Sequence, residues 1–406
     1  MAAKVFPKGF LWGAATSAYQ VEGGIENCDW AQAARDGRVP VCGRACDHYN
    51  RYEEDFDIAK KLGHNAHRLS VEWARIEPKE GTFDEQAIEH YRKVLKALRV
   101  RGIEPFVTLW HFTLPEWFAE SGGFERRDAP RIFARYALFV VRKLEDLCSH
   151  FSTMNEPNVF ATQGWINGEW APFKISAKPW KRVHTANTTQ RDKALFGVQY
   201  LNVVEHLAKA HNAAYAAVRQ SNNEVKLGIV KHIHVYLPTT GLRNIVRTKL
   251  SNYFQNKRFL RKTIHQIDEI GVNFYQATRY GTELTDKKTD MGWNFTPERI
   301  YEALMLVADY KKPMFVSEAG VADEDDSDRA EYIKKQAAAT LRAIQDGADV
   351  RGHMYWSLLD NYEWAHGFDK RFGLVAVNYE TLERTIRPSA YVYKEIIEHN
   401  GLVDGG

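Results

Sequence analysis

Two glutamates in this chain have the type and setting of a catalytic pair. Glu156 follows the apolar run Phe151 to Asn155 and precedes Pro157, while Glu318 follows the run Pro313 to Ser317 and precedes Ala319 and Gly320. Two carboxyl groups sharing one pocket cannot both ionise easily, so one keeps its proton and can serve as an acid while the other stays a base or nucleophile. A single glutamate after such a run reads equally well as a solvated or ion-paired residue, and spacing alone admits both readings. Further polar residues occupy equivalent positions along the chain. Gln20 and Glu22 follow the first apolar run, Arg68 lies in the second, His111 follows the third and Asn155 ends the fourth. Asn273 and Tyr275 close the sixth and Trp356 lies in the eighth, with Glu363 and Trp364 in the segment beyond.

The elements that would position these residues alternate from end to end. Short runs rich in β-branched and aromatic residues span 10–15, 66–71, 103–109, 151–155, 225–233, 269–274, 313–317 and 352–358, and they are too short for buried helices. Between them lie amphipathic patterns. In 84–100, Ile88, Tyr91, Leu95 and Leu98 form one stripe, and in 130–147, Phe133, Tyr136, Ala137, Val140, Leu144 and Leu147 repeat at three and four with Asp128 as an expected cap. The patterns 52–62 and 328–346 end at Gly63 and Gly347, as left-handed caps favour. Eight strands each followed by a helix predict an α/β fold, a single (β/α)8 barrel domain over 1–406 with its site at the C-terminal strand ends. An open doubly wound sheet is the alternative, but Gly13-Ala-Ala-Thr-Ser17 is not the phosphate-binding glycine loop it would want.

Composition removes other classes. The 406 residues carry 55 Lys and Arg against 52 Asp and Glu, and a net charge of +3 argues against nucleic acid or an acidic membrane as main partner. Apolar residues at 44% and charged residues at 26% fit a globular chain with a sizeable core. The 13% aromatic content suits a partner with flat C–H faces, such as a sugar. Four cysteines make no disulfide framework, and Cys42-x3-Cys46-x-His48 offers at most half a zinc site. No apolar stretch reaches the ~18–20 residues of a membrane span, and a cytoplasmic location is expected. Oligomeric state stays open.

The motifs themselves have a family resemblance. Thr153-Met-Asn-Glu-Pro157 resembles the T-x-N-E-P acid/base motif of family 1 glycoside hydrolases, the β-glucosidase and β-galactosidase family, and Val316-Ser-Glu-Ala-Gly320 resembles their nucleophile motif. Trp356-Ser-Leu-Leu-Asp-Asn-Tyr-Glu-Trp-Ala-His-Gly-Phe-Asp-Lys-Arg-Phe-Gly-Leu374 is similar to their longest signature, and Phe10-Leu-Trp-Gly-Ala-Ala-Thr-Ser-Ala-Tyr-Gln-Val-Glu-Gly23 matches their opening. Gly347-Ala-Asp-Val-Arg-Gly352 and Arg387-Pro-Ser-Ala-Tyr391 look closest to the archaeal-type branch. The resemblance implies retaining hydrolysis of a β-linked glucose, galactose or fucose at a non-reducing end, without metal or organic cofactor and with possible transfer to other alcohols. It makes Glu156 the acid and then base, and Glu318 the nucleophile. Arg68, Asn155, Asn273 and Tyr275 become their supports, and Gln20, His111, Trp356, Glu363 and Trp364 the sugar site. A retaining pair is expected about 5–5.5 Å apart, against ~6.5–9.5 Å for inversion.

The chain also departs from that pattern. Ala319 follows Glu318 where the family has Asn, Phe112-Thr113 replaces the frequent Trp-Asp, and the segment 236–268 is short. The basic residues of that segment (Arg243, Arg247, Lys249, Lys257, Arg258, Arg261 and Lys262) are expected on a solvated helical face, over a more open aglycone side. Glu363 would repel a phosphate, which favours unphosphorylated sugars over the 6-phospho-β-glycosidase branch. Two further alternatives are a carbohydrate-binding protein without turnover, and a metal-dependent hydrolase using His232-x-His234, which alternation places on one face.

Overall fold

The computed structural model describes residues 5–174 and 198–402. Eight parallel strands close into a barrel: β1 (Leu11–Ala15), β2 (Ala66–Ser70), β3 (Glu104–Thr108), β4 (His150–Asn155), β5 (Lys226–His232), β6 (Ile270–Phe274), β7 (Met314–Ala319) and β8 (Val350–Trp356). Each strand pairs with its neighbours in sequence, and β1 closes on β8 through Leu11 opposite Gly352 to Ala15 opposite Trp356. The expected (β/α)8 fold class is therefore what the chain adopts.

Helices follow the strands and cover the barrel: α1 (His48–Lys61), α2 (Glu85–Val100), α3 (Ala129–Leu144), α4 (Val198–Ser221), α5 (Leu242–Ser251), α6 (Ile300–Ala308), α7 (Arg329–Gln345) and α8 (Pro388–His399). In α2 the predicted stripe is buried, and Asp84 caps the helix by accepting from the Gln86 and Ala87 amides at 2.7 and 3.2 Å. Asp128 sits at the start of α3 without capping it, because its carboxylate takes both Arg126 nitrogens at 2.8 Å instead. Gly63 and Gly347, with φ of +80° and +98°, turn the chain after α1 and α7.

Inside the barrel the N-terminal end is plugged by Ala66, Phe106, Phe315 and Met354, with Leu11 packed against them. That apolar floor leaves the C-terminal end for polar side chains. The pairing register slips between Val272 and Asn273 on β6 and between Ser152 and Asn155 on β4. Such irregularities re-aim side chains, and both lie beside the two glutamates. Gly320 is required where β7 ends, since a Cβ there would stand 1.8 Å from the Trp356 carbonyl oxygen of β8.

The suggested half zinc site does not assemble. The Cys42 thiol donates to the Tyr19 carbonyl, the Cys46 thiol to the Asp360 carbonyl, and His48 Nδ1 meets Asp55 2.7 Å away. Three different partners take the three groups. The segment after β5 is helical as expected, but α5 carries Leu242, Ile245, Val246 and Leu250 on its exposed side, so its solvated face is not simply a basic one.

Candidate active site

The strand ends converge on a cavity of about 500 Å3 lined by Gln20, His111, Asn155, Glu156, Tyr275, Glu318, Trp356, Glu363 and Trp364. Glu22 does not join them. It turns away to Arg75 and to the hydroxyl of Tyr91, with which it forms a buried structural cluster.

Glu318 is the last residue but one of β7 and is 3% exposed. One of its oxygens takes the Arg68 guanidinium and the other takes the Tyr275 hydroxyl at 2.7 Å. Arg68, itself buried on β2, is fixed on its remaining nitrogens by Thr108 Oγ1 at 3.0 Å and Asn155 Oδ1 at 2.7 Å. Breaking one partner of such a buried pair costs about 3–5 kcal/mol, because the other charge is stranded. The Glu318 carboxylate is thereby held in one orientation.

Glu156 is the first residue past β4, at φ +44°, a left-handed conformation that turns the chain into the short helix Pro157–Thr162. Its amide donates to the Val230 carbonyl and its Oε1 accepts from Asn273 Nδ2 at 2.7 Å. Asn273 also donates to Asn155 Oδ1 at 3.2 Å and accepts from the Ser317 hydroxyl at 2.7 Å. One continuous polar network therefore runs from Glu318 through Arg68, Asn155 and Asn273 to Glu156. Burial and then the charge of Glu318 push the Glu156 carboxyl up to about 8. A group so placed holds its proton at neutral pH.

The other wall is aromatic. His111 lies nearly parallel to Trp356 and to Trp364, each with ring centroids 6.0 Å away, and Asn155 Nδ2 stands 3.3 Å from its Nε2. Burial, with the nearby Arg68, keeps the His111 imidazole neutral by lowering its pKa well below the usual value. Gln20 Nε2 donates to Asn361, to the Tyr362 carbonyl and, at 3.5 Å, to Glu363. Glu363 is pushed up to about 8 by burial and by the charges of Glu318 and Glu156. A paired amide and carboxyl beside an indole face can grip adjacent hydroxyls of a ring stacked on that face.

The departures noted in the sequence have local accounts. Phe112, at φ +73°, packs between Trp170 and Trp364, and the Thr113 hydroxyl donates to buried Glu72 at 2.8 Å. Ala319 is fully buried opposite Phe274 and Tyr355. His232 and His234 both line the cavity, as alternation required, but His234 Nε2 meets Thr278 Oγ1 at 2.7 Å, and no group of three potential metal ligands forms among the described residues.

Sequence reasoning missed several lining residues, including Glu169, Trp170, Trp293 and Phe372. It also missed Lys231, whose buried ammonium donates to the His232 and Gln255 carbonyls at 2.7 and 2.6 Å. Burial lowers Lys231 to about 7, and its charge in turn lowers Glu156.

A closed parallel barrel with two glutamates in one buried network, walled by indoles, is the architecture of an O-glycosyl hydrolase. The sequence profile of glycosyl hydrolase family 1 matches residues 2–267 and 250–402, and the chain belongs to that family. It is 32% identical to a protein named beta-glucosidase A from Acetivibrio thermocellus, over 98% of this chain and 99% of the relative. It is 30% identical to a beta-galactosidase of Sulfolobus acidocaldarius, over 98% of this chain and 96% of the relative. Among solved structures, a beta-glycosidase from Pyrococcus horikoshii superposes with a TM-score of 0.88 at 35% identity, covering 99% of this chain and 96% of that one. A Thermotoga maritima beta-glucosidase in complex with glucoimidazole gives 0.88 at 30% identity, covering 98% and 100%.

Proposed function

We propose that this chain is a retaining β-glycosidase that removes a non-reducing-end β-linked glucose, galactose or fucose from small glycosides. The observation that carries the proposal is the unequal treatment of the two carboxyls: Glu318 takes donors on both oxygens, while Glu156 keeps its proton to about 8. In the first step Glu318 attacks the anomeric carbon and Glu156 gives its proton to the departing glycosidic oxygen. Esterification removes the Glu318 charge, so the pKa of Glu156 falls and it can take a proton from the incoming water. Water then attacks the anomeric carbon, breaks the ester bond and releases Glu318 as a carboxylate. An alcohol entering in place of water would give transglycosylation. A separation of about 5–5.5 Å between the carboxyls belongs to this reading.

In the sugar site, Gln20 and Glu363 would clamp adjacent hydroxyls, His111 a third, and Asn155 the 2-hydroxyl beside Arg68 and Glu318. Trp356 would carry the apolar face of the ring and Trp364 would add an indole N–H. Because Glu363 is pushed up to about 8, repulsion by its charge is weak near neutrality. The stronger argument for unphosphorylated sugars is that no Lys or Arg is among the described residues lining the cavity. We place residues 1–406 in one domain, and four free, buried cysteines suit a reducing compartment such as the cytoplasm.

Proton NMR during turnover of an aryl β-glucoside tests the proposal. The β-anomer of the sugar should appear first and mutarotate later. First release of the α-anomer would overturn double displacement.

A further inference from the structure

Helix α5 is inside out. Asn244, Arg247, Thr248 and Ser251 lie on its less exposed side, where Arg247 stacks 4.4 Å over the Tyr280 ring and the Ser251 hydroxyl bonds that of Tyr280. The opposite side carries Leu242, Ile245, Val246 and Leu250, continued by Tyr253, all exposed, with Leu242 at 79%. Of the ten large hydrophobic side chains exposed among the described residues, five fall on this one short stretch. An amphipathic helix ordinarily buries that stripe, and a clustered exposed row marks a contact surface.

Charge narrows what the contact is. Between Leu242 and Thr263 the chain has seven Lys and Arg and no Asp or Glu, although the whole protein is nearly balanced. Arg243 and Lys249 are exposed on α5 itself. Lys257 and Arg261 follow in the next turns, while Lys262 pairs with Glu205 at 2.7 Å. Apolar side chains interleaved with cations on a helix with no fully buried residue match an anionic lipid interface, where the former enter the acyl boundary and the latter meet headgroup phosphates. We propose that α5 is a peripheral docking face for an anionic lipid surface. Leu250, Ser251 and Phe254 also line the cavity, so the docking face and the cavity share a rim.

Co-sedimentation of the full chain with phosphatidylcholine vesicles, with and without phosphatidylglycerol, tests this without requiring turnover. The wild type should bind the anionic vesicles about 30-fold better than the neutral ones, the factor expected from two basic residues at a charged surface. Binding should weaken as salt shortens the screening length from ~10 Å at 0.1 M to ~3 Å at 1 M. A Leu242→Ser, Ile245→Ser, Val246→Ser triple variant should lose binding, as should Arg243→Glu with Lys249→Glu, both with the wild-type melting temperature. Absence of binding to anionic vesicles, or undiminished binding by the triple variant, would overturn the proposal. So would a dimer, seen by light scattering, that the triple variant dissociates, since a second copy would then be the occupant.

Discussion

Replacing Asn273 by Ala isolates the control of the proposed acid. Asn273 Nδ2 donates to Glu156 Oε1 at 2.7 Å, and a donor favours the charged carboxylate, so the contact holds the Glu156 pKa down. A hydrogen bond to a charged group contributes about 1.5–3 kcal/mol, and one pKa unit corresponds to about 1.36 kcal/mol. Losing it should raise the pKa by about 1–2 units, from about 8 toward about 9–10. Asn155 Oδ1 loses its 3.2 Å donor but keeps Arg68 at 2.7 Å, and the Ser317 hydroxyl loses its acceptor, so among the ionisable groups the change falls largely on Glu156. The assay is kcat/KM for an aryl β-glucoside across the neutral and alkaline range, whose alkaline limb reports the acid in the free enzyme. The protonated form is the active one, so the limb should move to higher pH in the variant. An unmoved limb, or one moving to lower pH, would show that Asn273 does not hold the Glu156 pKa down.

Other substitutions address other parts of the site. Tyr275→Phe removes one donor from Glu318 and should lower kcat by roughly 10- to 150-fold, the equivalent of about 1.5–3 kcal/mol, in steady-state kinetics. Glu156→Gln should slow glycosides with poor leaving groups far more than nitrophenyl ones, as a leaving-group series would show. The raised pKa of Glu156 means that folding stability falls as pH climbs from its unfolded value through about 8. The same Gln variant should therefore melt higher than wild type at alkaline pH and show no such gain in acid. Lys231→Met removes a group whose charge lowers Glu156, but burial lowers Lys231 itself to about 7, so it is mostly neutral where Glu156 titrates. The alkaline limb should move up by much less than in Asn273→Ala, and an equal shift would contradict that order.

Much of this arrangement could be read from residue order. The strands were legible because β-branched and aromatic runs too short for helices recur between amphipathic stretches, and all eight fall within a few residues of their expected bounds. The site followed from where those runs end, since a barrel aims that end of every strand into one cavity. Glu22 shows the limit of this logic: two positions beyond Gln20, it faces Arg75 and Tyr91 rather than the cavity. Asp128 shows another, since a nearby Arg126 outcompeted the backbone for its carboxylate. Lys231 was invisible because its neighbours His232 and His234 point inward and alternation sends it toward the covering helices, where only folding supplies the Gln255 carbonyl. For α5 the stripe was present in the sequence, but periodicity does not tell which side meets solvent.

In the proposed mechanism Glu318 bonds covalently to the sugar while Glu156 does not. Peptide mapping by mass spectrometry after incubation with an activated 2-deoxy-2-fluoro β-glucoside tests it most directly. A fluorosugar ester should be found on the peptide containing Glu318. An ester on the Glu156 peptide, or turnover of the parent glycoside with no trapped adduct, would contradict it.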